Sequence, residues 1–590
     1  MKKINLTIND KKISVPEGYT IIQAAKENNI AIPHLCYLED VHKFGSCRIC
    51  LVEVAGQRNL MASCVTEVSE GMVVVTNSER VRSTRKVVYE LMLSDHAQDC
   101  LSCNRNQSCE LQRVGEMLQI DENRLHGEKS KAMIDDSSPS IIRDASKCIL
   151  CRRCVSVCNE IQGVGILNAQ ERGFDTSIGP TVGIPIAKTA CINCGQCVVV
   201  CPVGALKEKD ATKDVWKALH DPKKVTIVQS APAIRAALGE EFGYEPGTLV
   251  TGKMASAFRQ MGFKYIFDTN FTADLTIIEE GTEFLERVKK VLGNEKVAFP
   301  MITSCSPGWI KYIEHHFPEQ LPHLSSCKSP QMMLGALSKS YFAKKIGVDP
   351  KDIYMVSVMP CTAKKFEITR PEMVNDGVPN IDAVLTTREL AKMIMNAGID
   401  FKSLPDDKFD APLGLSSGAA DIFANSGGVM EAAIRTVYEI ITGRELPMEK
   451  LHVKPLMGLE RIKTAELKIE KPKPEWKGLD GFVVKVAVTS GTKGAAQLME
   501  EIKSGKSQYH FIEVMGCPGG CISGGGQPRP VNDEIRKKRI QAILKEDEGK
   551  KLRKSHNNPD INKLYEEFLG KPLGHISHEL LHTKYTAREK

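Results

Sequence analysis

The pattern of apolar and polar residues changes along the chain and predicts two kinds of structure. Near the N-terminus, KINLTINDKKISVPEGYTIIQAAKENN alternates apolar and polar residues through two short strands around a turn and then follows helical spacing. From residue 224, short and nearly continuous apolar runs are each followed by a turn rich in Pro, Gly, Ser or Cys. Such runs are typical of parallel strands buried on both faces between layers of helices. The pattern therefore predicts a β-grasp start and a C-terminal α/β domain.

Length and composition indicate a multidomain globular protein. At ~100–200 residues per domain, 590 residues correspond to about three to five domains. Hydrophobic residues make up 42% and charged residues 26%, which are ordinary values for folded chains. The first twenty residues lack the apolar run of a signal peptide, and no window reaches the roughly 18 apolar residues of a membrane helix. We therefore expect a cytoplasmic protein.

The positive charge of the chain is concentrated in one segment. Residues 535–590 hold 14 Lys and Arg against 8 Asp and Glu, so they carry the whole excess of +6. A basic segment without interleaved aromatic residues is most often a solvated face. Docking to an acidic protein is the next interpretation, and nucleic-acid binding is a distant third.

Cysteine usage is the strongest chemical signal. Fifteen of the 20 cysteines fall within residues 36–201, and because disulfides are disfavoured in a cytoplasmic chain, grouped cysteines predict metal ligands. In the first group, Gly45 and Ser46 permit a tight turn that points backbone amides at sulfur. The group suits a [2Fe–2S] cluster, with a four-thiolate zinc site as the alternative. Its members are Cys36, Cys47, Cys50 and Cys64.

A second group combines one imidazole with three thiolates: His96, Cys100, Cys103 and Cys109. Alone, this set fits either zinc or a [4Fe–4S] cluster with one His ligand. Together, however, the two groups make residues 1–110 resemble the electron-transfer module of the large iron–sulfur subunit of respiratory complex I and of large [FeFe]-hydrogenases. The resemblance implies a [2Fe–2S] cluster and a His-ligated [4Fe–4S] cluster.

Two further runs have the Cys-x2-Cys-x2-Cys-x3-Cys spacing of two-cluster bacterial ferredoxins. In those proteins three cysteines of each run hold one cluster and the fourth crosses to the other. Asn159 stands where a proline often follows the first run, which leaves the ligand count intact. We expect one [4Fe–4S] cluster on Cys148, Cys151, Cys154 and Cys201, and another on Cys191, Cys194, Cys197 and Cys158. Four clusters exceed any structural need and predict an electron route.

Four of the five remaining cysteines follow predicted strands of the α/β domain. Because ligands in such sheets collect beyond the carboxyl ends of the strands, we expect Cys305, Cys361, Cys517 and Cys521 to share one cleft. Cys327, in LSSCKSPQMM, does not follow a strand, and we interpret it as structural.

Three segments carry a closer resemblance, which covers essentially the whole chain. TSCSPGW at 303–309, MPCTAKKFE at 359–367 and EVMGCPGGCISGGGQP at 513–528 resemble, in the right order, the three signature loops of [FeFe]-hydrogenases. The resemblance implies the reaction H2 ⇌ 2H⁺ + 2e⁻ at an H-cluster. That cofactor is a [4Fe–4S] unit bridged by a cysteine sulfur to a diiron unit with CO, cyanide and dithiolate ligands.

The fold class that follows is multidomain α+β and α/β, in five segments. We expect a β-grasp [2Fe–2S] domain at 1–78, a His/Cys3 [4Fe–4S] domain at 79–120, a ferredoxin-like 2[4Fe–4S] domain at 138–210, an α/β H-cluster domain at 222–530 and a basic, small-subunit-like extension at 531–590.

The resemblance also implies roles for single residues. Cys361, Cys517 and Cys521 match ligands of the [4Fe–4S] unit, Cys521 also being the bridge, and Lys364 matches a lysine that binds a cyanide ligand, as suits an ammonium beside a buried anion. Residues that match the wall of the diiron pocket are Ala231, Pro232, Ser329, Met359 and Met515. A path for protons is needed because the site is closed to water. Its matching residues are Cys305, Glu280, Ser325 and Glu283, with Arg287 at the outer end.

The first signature loop departs from the commonest pattern of the family. That pattern has two adjacent cysteines, a proton relay and then a ligand of the [4Fe–4S] unit, whereas here Ser306 follows Cys305. Strict register would leave the unit one thiolate short, so we expect Cys305 to be the ligand, with Ser306 near the relay. A relay role for Cys305 is the alternative. Pro518 is a smaller difference, which a glycine-rich loop tolerates.

The sequence offers no obvious nucleotide site. No Gly-x-Gly-x-x-Gly unit follows a strand, and GTLVTGKM at 247–254 lacks the hydroxyl residue of a phosphate-binding loop. The resemblance therefore implies partners: flavin- and iron–sulfur-bearing subunits of a NAD(P)-linked complex, ferredoxin, or both. A non-catalytic electron-transfer subunit is an alternative that the three cysteine loops disfavour. A hydrogenase-like sensor or assembly protein is another, which Lys364, Glu280 and Glu283 disfavour and Ser306 favours.

Overall fold

A computed structural model of the chain describes residues 2–39 and 41–589. Its contacts form two compact units, the first of residues 1–160, 165–189 and 200–207 and the second of residues 161–164, 190–199 and 208–590. The boundaries of the five predicted domains stay a prediction. Over the described ranges, we find no helix with the length and apolar character of a membrane span.

The first unit opens with a mixed sheet. β1 (Lys3–Ile8) and β2 (Lys11–Pro16) form an antiparallel hairpin whose alternation buries Ile4, Leu6 and Ile8 on one face. The next elements are α1 (Ile21–Glu27), β3 (Leu51–Val54), β4 (Met61–Ala62) and β5 (Val73–Val75). The strand order is β2-β1-β5-β3-β4, with β1 parallel to β5. This confirms the predicted β-grasp start.

Short elements separated by long loops follow, and these loops and short helices carry the remaining cysteine groups of the N-terminal third. The elements are α2 (Glu79–Ser94), α3 (Glu110–Met117), β6 (Ile134–Asp135), β7 (Ile141–Asp144), α4 (Arg153–Ser156), β8 (Asn168–Gln170), β9 (Ser177–Gly179), α5 (Gln196–Val200) and β10 (Leu206–Glu208). The Ser78 hydroxyl starts α2 by accepting a hydrogen bond from the Val81 N–H.

The second unit consists of helices around two sheets. Its elements are α6 (Thr212–Leu219), β11 (Val225–Ser230), α7 (Thr251–Gln260), β12 (Tyr265–Asp268), α8 (Thr269–Leu292), β13 (Met301–Ile302), α9 (Pro307–His316), α10 (Pro330–Leu337), α11 (Ala343–Ile346), β14 (Ile353–Met359), α12 (Ala363–Glu367), β15 (Val374–Asn375), β16 (Val378–Pro379), β17 (Ala383–Thr386), α13 (Thr387–Asn396), α14 (Gly418–Asp421), α15 (Gly428–Thr442), β18 (Ile462–Lys468), β19 (Val483–Ser490), α16 (Thr492–Lys503), β20 (Phe511–Met515), α17 (Asp533–Gly549), α18 (Pro559–Leu564) and α19 (His575–Leu581).

The predicted apolar strands divide between these two sheets. One has the order β12-β11-β14-β17 and is parallel throughout, and its register pairs Ser230 with both Asp268 and Val358. The other has the order β13-β20-β19-β18, with only the edge strand β18 antiparallel. In the parallel sheet, the aligned register places the carboxyl ends of the strands at one edge.

Helix α8 and the C-terminal helices shape the region beside the sheets. The Asp268 carboxylate starts α8 by accepting a hydrogen bond from the Asn270 N–H, and the helix runs for 24 residues. The basic C-terminal segment exposes most of its lysines, such as Lys537 and Lys545, as expected of a solvated face, but it also contributes side chains to the core. Arg539 on α17 is buried in an ion pair with Glu240, and Leu581 lies in the apolar core. The segment is therefore folded into the second unit.

Candidate metal centres and active site

The first cysteine group is gathered in the first unit. Its thiols are buried and linked by hydrogen bonds in the order Cys47, Cys36, Cys64, Cys50. Backbone N–H groups of the neighbouring turns, including that of Ile49, donate to these sulfurs. Four thiols with amides directed at them are a donor set that fits a [2Fe–2S] cluster.

The His96 group lines a single cavity together with Gly204. The Nδ1 atom of His96 is buried and has no hydrogen-bond partner in the part of the chain that the structure describes. Burial lowers the pKa of His96, which keeps the imidazole neutral, as ligation requires. A Cβ built on Gly204 would lie 2.6 Å from the Cys103 Sγ, so glycine is needed there. The residues present fit a His-ligated [4Fe–4S] cluster.

The two ferredoxin-like runs adopt the same loop conformation. Leu150 and Arg152 flank Cys151 with φ of 53° and 62°, and Asn193 and Gly195 flank Cys194 with φ of 57° and 68°. Four cysteines of the first unit, Cys148, Cys151, Cys154 and Cys201, line one cavity. These residues fit a [4Fe–4S] cluster. The grouping of Cys158 with Cys191, Cys194 and Cys197 stays a prediction.

A cavity in the second unit lies beyond the strand ends. Its walls include Cys305 after β13, Cys361 after β14, and Cys517 and Cys521 after β20. The structure thus brings these four cysteines together from both sheets, whereas Cys327 is not among the lining residues. The wall also contains Ala231, Pro232, Met359 and Met515; Ser329 does not line it, but its neighbours Pro330 and Gln331 do.

The glycine-rich third loop lets three segments meet at this cavity. Gly520 has φ of +99°, and a Cβ there would lie 2.5 Å from the Ser426 nitrogen. The four lining thiols are free of disulfides. The Oε1 atom of Gln331, a residue of the cavity wall, is buried without a hydrogen-bond partner among residues 2–39 and 41–589, as is the hydroxyl of the nearby Ser329. Free thiols and an unpaired polar atom beside them fit an H-cluster, which brings iron and polar ligands.

Lys364 holds its ammonium at the cavity wall. Its Nζ donates to the Cys305 carbonyl at 3.1 Å and to Glu367 Oε2 at 2.8 Å. Glu367 Oε2 also accepts from Gln331 Nε2 at 3.1 Å. The ammonium is therefore fixed beside the cavity, where an anionic ligand would meet a positive charge.

Cys305 and Ser306 both line the cavity but have different neighbours. Burial raises the pKa of the Cys305 thiol well above its ordinary value, and the largest effect of a neighbouring charge comes from Glu280. The Ser306 Oγ accepts a hydrogen bond from the Gly516 N–H at 3.2 Å, next to Cys517. Glu280 is thus the charged group with the largest effect on the Cys305 thiol, while Ser306 contacts the third loop.

The carboxylates expected to carry protons are connected. Ser325 Oγ donates to Glu283 Oε2 at 3.2 Å and is also hydrogen-bonded to Glu280. Burial raises the pKa of Glu280 to about 8, so Glu280 is mostly protonated at neutral pH. Arg287 donates to Glu283 Oε1 at 2.7 Å. The series from Glu280 to Arg287 is therefore continuous.

The second ferredoxin-like loop packs against the cavity loops. Thr362 Oγ1 donates to the Asn193 carbonyl at 2.7 Å, and Gln196 Nε2 donates to the Ser523 carbonyl at 3.0 Å. The charge of Cys194 also contributes to the raised pKa of Cys517. These contacts hold the Cys194 loop against the chain segments that carry Cys361 and Cys521.

Sequence reasoning missed three carboxylates around the site. Glu367 anchors Lys364, and Glu513 accepts hydrogen bonds from Gly427 N–H and Met430 N–H at 2.6 and 2.7 Å at the start of α15. Glu279 lies beside the proton-carrying residues on α8. A carboxylate inside an apolar strand, as in HFIEVM, was the available signal for Glu513.

Comparison with known protein families decides what this cavity belongs to. The family model for the C-terminal domain of the iron-only hydrogenase large subunit matches residues 224–525, over half of the chain. The chain belongs to this hydrogenase family. Other models match the rest of the hydrogenase: a 2Fe-2S iron–sulfur cluster binding domain at 1–79, the NADH-ubiquinone oxidoreductase-G iron–sulfur binding region at 85–124, the ferredoxin-like domain of NADH-quinone oxidoreductase subunit 3 at 138–207 and the iron hydrogenase small subunit at 533–588.

Similar proteins span the full hydrogenase. The NADP-reducing hydrogenase subunit HndD of Solidesulfovibrio fructosivorans is 50% identical, over 100% of both chains. Iron hydrogenase 1 of Clostridium pasteurianum is 41% identical over 98% of this chain and 99% of its own. The solved structure of apo [FeFe]-hydrogenase HydA1 from Chlamydomonas reinhardtii matches with a TM-score of 0.59 and 40% identity, over 65% of this chain and 100% of that chain.

The hydrogenase is an oxidoreductase that interconverts H2 with protons and electrons, and it binds iron–sulfur clusters and an H-cluster. The family resemblance and the multidomain fold class are confirmed. The roles of individual ligands and proton-carrying residues stay predictions.

Proposed function

We propose that this hydrogenase is the catalytic subunit of a multi-subunit complex that exchanges electrons between H2 and a nicotinamide nucleotide through a flavin-bearing partner. The observation that carries the proposal is the full-length match at 50% identity to a NADP-reducing hydrogenase subunit. Two features of the chain support it. The N-terminal region resembles complex I, which receives electrons from a flavin subunit, and the sequence shows no nucleotide-binding motif of its own.

Purification from the native host without an affinity tag tests the partner. We expect co-elution with a flavoprotein, and NAD(P)H-linked H2 production only when that partner is present. The isolated chain should still evolve H2 with a reduced dye. A lone chain with full ferredoxin-linked activity, falling steeply with salt as expected for electrostatic docking, would instead establish a ferredoxin-coupled enzyme.

For the cofactors, we assign one [2Fe–2S] cluster, three accessory [4Fe–4S] clusters and one H-cluster. Fifteen cysteines and His96 supply four ligands to each accessory cluster. The loaded enzyme should therefore contain about 20 iron atoms per chain. An iron content near 12, or stoichiometric zinc, would contradict the assignment.

For the active site, we assign Cys361, Cys517 and Cys521 as ligands of the [4Fe–4S] unit of the H-cluster. When bound, the H-cluster supplies the site at which protons and electrons combine into H2. The chain itself holds Lys364 at the wall and keeps water out with apolar residues such as Met359 and Met515. Glu280 holds one proton beside Cys305, and Ser325 connects it to Glu283.

Among neighbouring charges Glu280 has the largest effect on the Cys305 thiol, which favours the relay role over the ligand role expected from the sequence. In that case Cys305→Ser should lower the rate of H2 evolution while iron content stays unchanged. If Cys305 is instead a ligand, the same variant should lose the iron of the [4Fe–4S] unit.

Cys521 and Cys327 form a matched pair for testing the ligand assignment. We expect Cys521→Ala to abolish H2 production, because Cys521 is assigned both as ligand and as bridge. Cys327→Ala should cost far less, since Cys327 does not line the cavity. Wild-type activity in both variants would show that the assignment of the C-terminal cysteines is wrong.

A further inference from the structure

The C-terminal segment contacts the residues that are proposed to carry protons. The three signature loops gave no indication of this contact. Residues 326–328 and 581–583 run side by side as an antiparallel bridge. The Thr583 N–H donates to the Ser326 carbonyl at 2.8 Å, and the Lys328 N–H donates to the Leu581 carbonyl at 2.7 Å. This pairing fixes the backbone of His582 beside Ser326.

The imidazole of His582 has hydrogen-bond partners at both ring nitrogens. Its Nδ1 lies 2.9 Å from Ser326 Oγ, and its Nε2 lies 3.1 Å from Glu279 Oε2. Ser326 Oγ in turn lies 3.0 Å from Glu283 Oε2. A continuous series of hydrogen bonds therefore joins Glu283 to Glu279 through a serine hydroxyl and an imidazole.

The series has two complete hydrogen-bonded arrangements. In the first, an imidazolium donates from Nδ1 to Ser326 and from Nε2 to Glu279, and the serine donates to an ionised Glu283. In the second, a protonated Glu283 donates to the serine, the serine donates to Nδ1, and only Nε2 of the neutral imidazole carries a proton. Both arrangements hold three protons on Glu283, Ser326 and His582. The second converts into the first when Glu283 passes its proton to the Ser326 oxygen while the serine releases its own proton to Nδ1, so that one proton is transferred in net terms from Glu283 to His582.

Glu279 is suited to stabilise the imidazolium. Burial acts to raise the pKa of Glu279, but hydrogen bonds from His582, Tyr565 and the Leu573 N–H leave it below its ordinary value. The Tyr565 hydroxyl donates to Oε1 at 2.5 Å and the Leu573 N–H to Oε2 at 2.9 Å. A buried carboxylate next to an imidazole fixes its orientation and favours its charged form.

Arg287, the expected outer end of the path, cannot take up and release protons as the His582 imidazole can. Its guanidinium donates to Glu283 and to the carbonyls of Pro322, His323 and Leu324. A guanidinium stays protonated in proteins and has no acceptor site, so it positions Glu283 without taking up protons. An exposed imidazole, His578, lies with its ring centroid 4.6 Å from that of His582 and offers a titratable group near solvent.

The cluster also resembles a metal site, because ligand atoms of Glu283, Cys327 and His582 lie within 4.8 Å of one another. Two observations favour a proton-carrying role. Both nitrogens of His582 already have partners, and burial raises the pKa of the Cys327 thiol well above its ordinary value. The titratable groups around His582 are therefore Glu279, Glu283, Cys327 and His578.

We propose that His582 is a proton relay that exchanges one proton with Glu283 through the Ser326 hydroxyl, so that protons enter or leave the path through the C-terminal segment. The inference rests on the proposed path through Glu280, Ser325 and Glu283.

The test uses the cluster-loaded hydrogenase with saturating reduced dye. General acid–base groups contribute ~10²–10⁴-fold, and because Glu283 also has some direct contact with solvent, we expect His582→Ala to lower H2 evolution by about tenfold. Added imidazole should restore the rate with saturation, and the pH profile of the restored rate should follow the added base. His575→Gln changes an exposed histidine at the start of α19, the helix that ends just before His582, and this variant should behave as wild type.

A second readout does not depend on turnover. Infrared spectra recorded during a pH titration, with Glu283→Gln identifying the carboxyl band, should show Glu283 titrating at a different pH in His582→Gln than in wild type. His582→Gln keeps a side chain that can hydrogen-bond but cannot relay a proton, so it also covers the case in which the alanine variant misfolds.

The outcomes separate the relay from the path on which it rests. An inactive Glu283→Gln with a fully active His582→Gln refutes the relay and leaves the path intact. An active Glu283→Gln refutes the path itself. A His582→Ala variant that is slow, has lost thermal stability and gains nothing from imidazole shows a structural role for His582 and also overturns the proposal.

Discussion

Glu280 should make the hydrogenase less stable as the pH rises, and removing its charge should make the protein more stable but inactive. Burial raises the pKa of this carboxyl from 4.5 to about 8. The contribution of Glu280 to stability is therefore complete below pH 4.5, where both folded and unfolded states are protonated. It declines as the pH rises and is lost at about pH 8.

The magnitude follows from the difference between the two pKa values. Each pH unit above 4.5 lets the unfolded carboxyl ionise while the folded one stays neutral, at about 1.4 kcal/mol per unit. Glu280→Gln should therefore raise the free energy of unfolding by about 3 kcal/mol at pH 7, and by only about 1 kcal/mol at pH 5.5. The same variant should lose most H2 evolution, because glutamine cannot hold or transfer the proton.

The assay is urea denaturation followed by tryptophan fluorescence from pH 5.5 to 8.5. All three tryptophans, Trp216, Trp309 and Trp476, lie in the second unit and report on its unfolding. Wild type and variant are compared in the same cluster state, with Glu286→Gln, an exposed position on α8, as the control for loss of one charge. If the stability difference between Glu280→Gln and wild type does not depend on pH, or if it increases as the pH falls, then Glu280 is not a buried neutral carboxyl.

Two further predictions address other parts of the molecule. Gly204→Ala should place a methyl group against Cys103 and remove about four iron atoms per chain, seen by iron analysis and EPR, whereas Gly127→Ala, in open space, should keep full iron content. Arg539→Met should leave the Glu240 carboxylate without its buried partner and lower the stability of the second unit by about 3–5 kcal/mol in the same urea assay. Lys538→Met, at a more exposed neighbouring position, should change it little, and equal effects would contradict the buried ion pair.

The cysteine groups could be predicted because ligand spacing is a local property. The paired left-handed residues around Cys151 and Cys194 show that two similar runs of sequence adopt one loop geometry. The three loops around the cavity follow strand ends, where the alternation of apolar runs and turns is visible. The division of the strands between two sheets could not be predicted from the sequence, because β13 is only two residues long and pairs with a strand that is distant along the chain.

The C-terminal segment shows what sequence patterns do not contain. Ser326 and His582 are 256 positions apart, and Arg539 and Glu240 are 299 apart, so no local periodicity connects them. A count of charges predicted a solvated basic face, which describes the exposed lysines, but a count cannot show that Arg539 forms a buried ion pair with Glu240. Glu279 was missed for the same reason: its partners come from the far end of the chain.

The match of residues 533–588 to a small-subunit family has a consequence for how this hydrogenase behaves on dilution. A segment held by a peptide bond associates with its binding surface at an effective concentration set by the tether, whatever the total amount of protein. The loss of translational freedom that two separate chains would face on association is also avoided. The C-terminal helices, with Tyr565 and His582, should therefore stay in stoichiometric amount at every enzyme concentration, even in a cell that makes only a few copies of the chain.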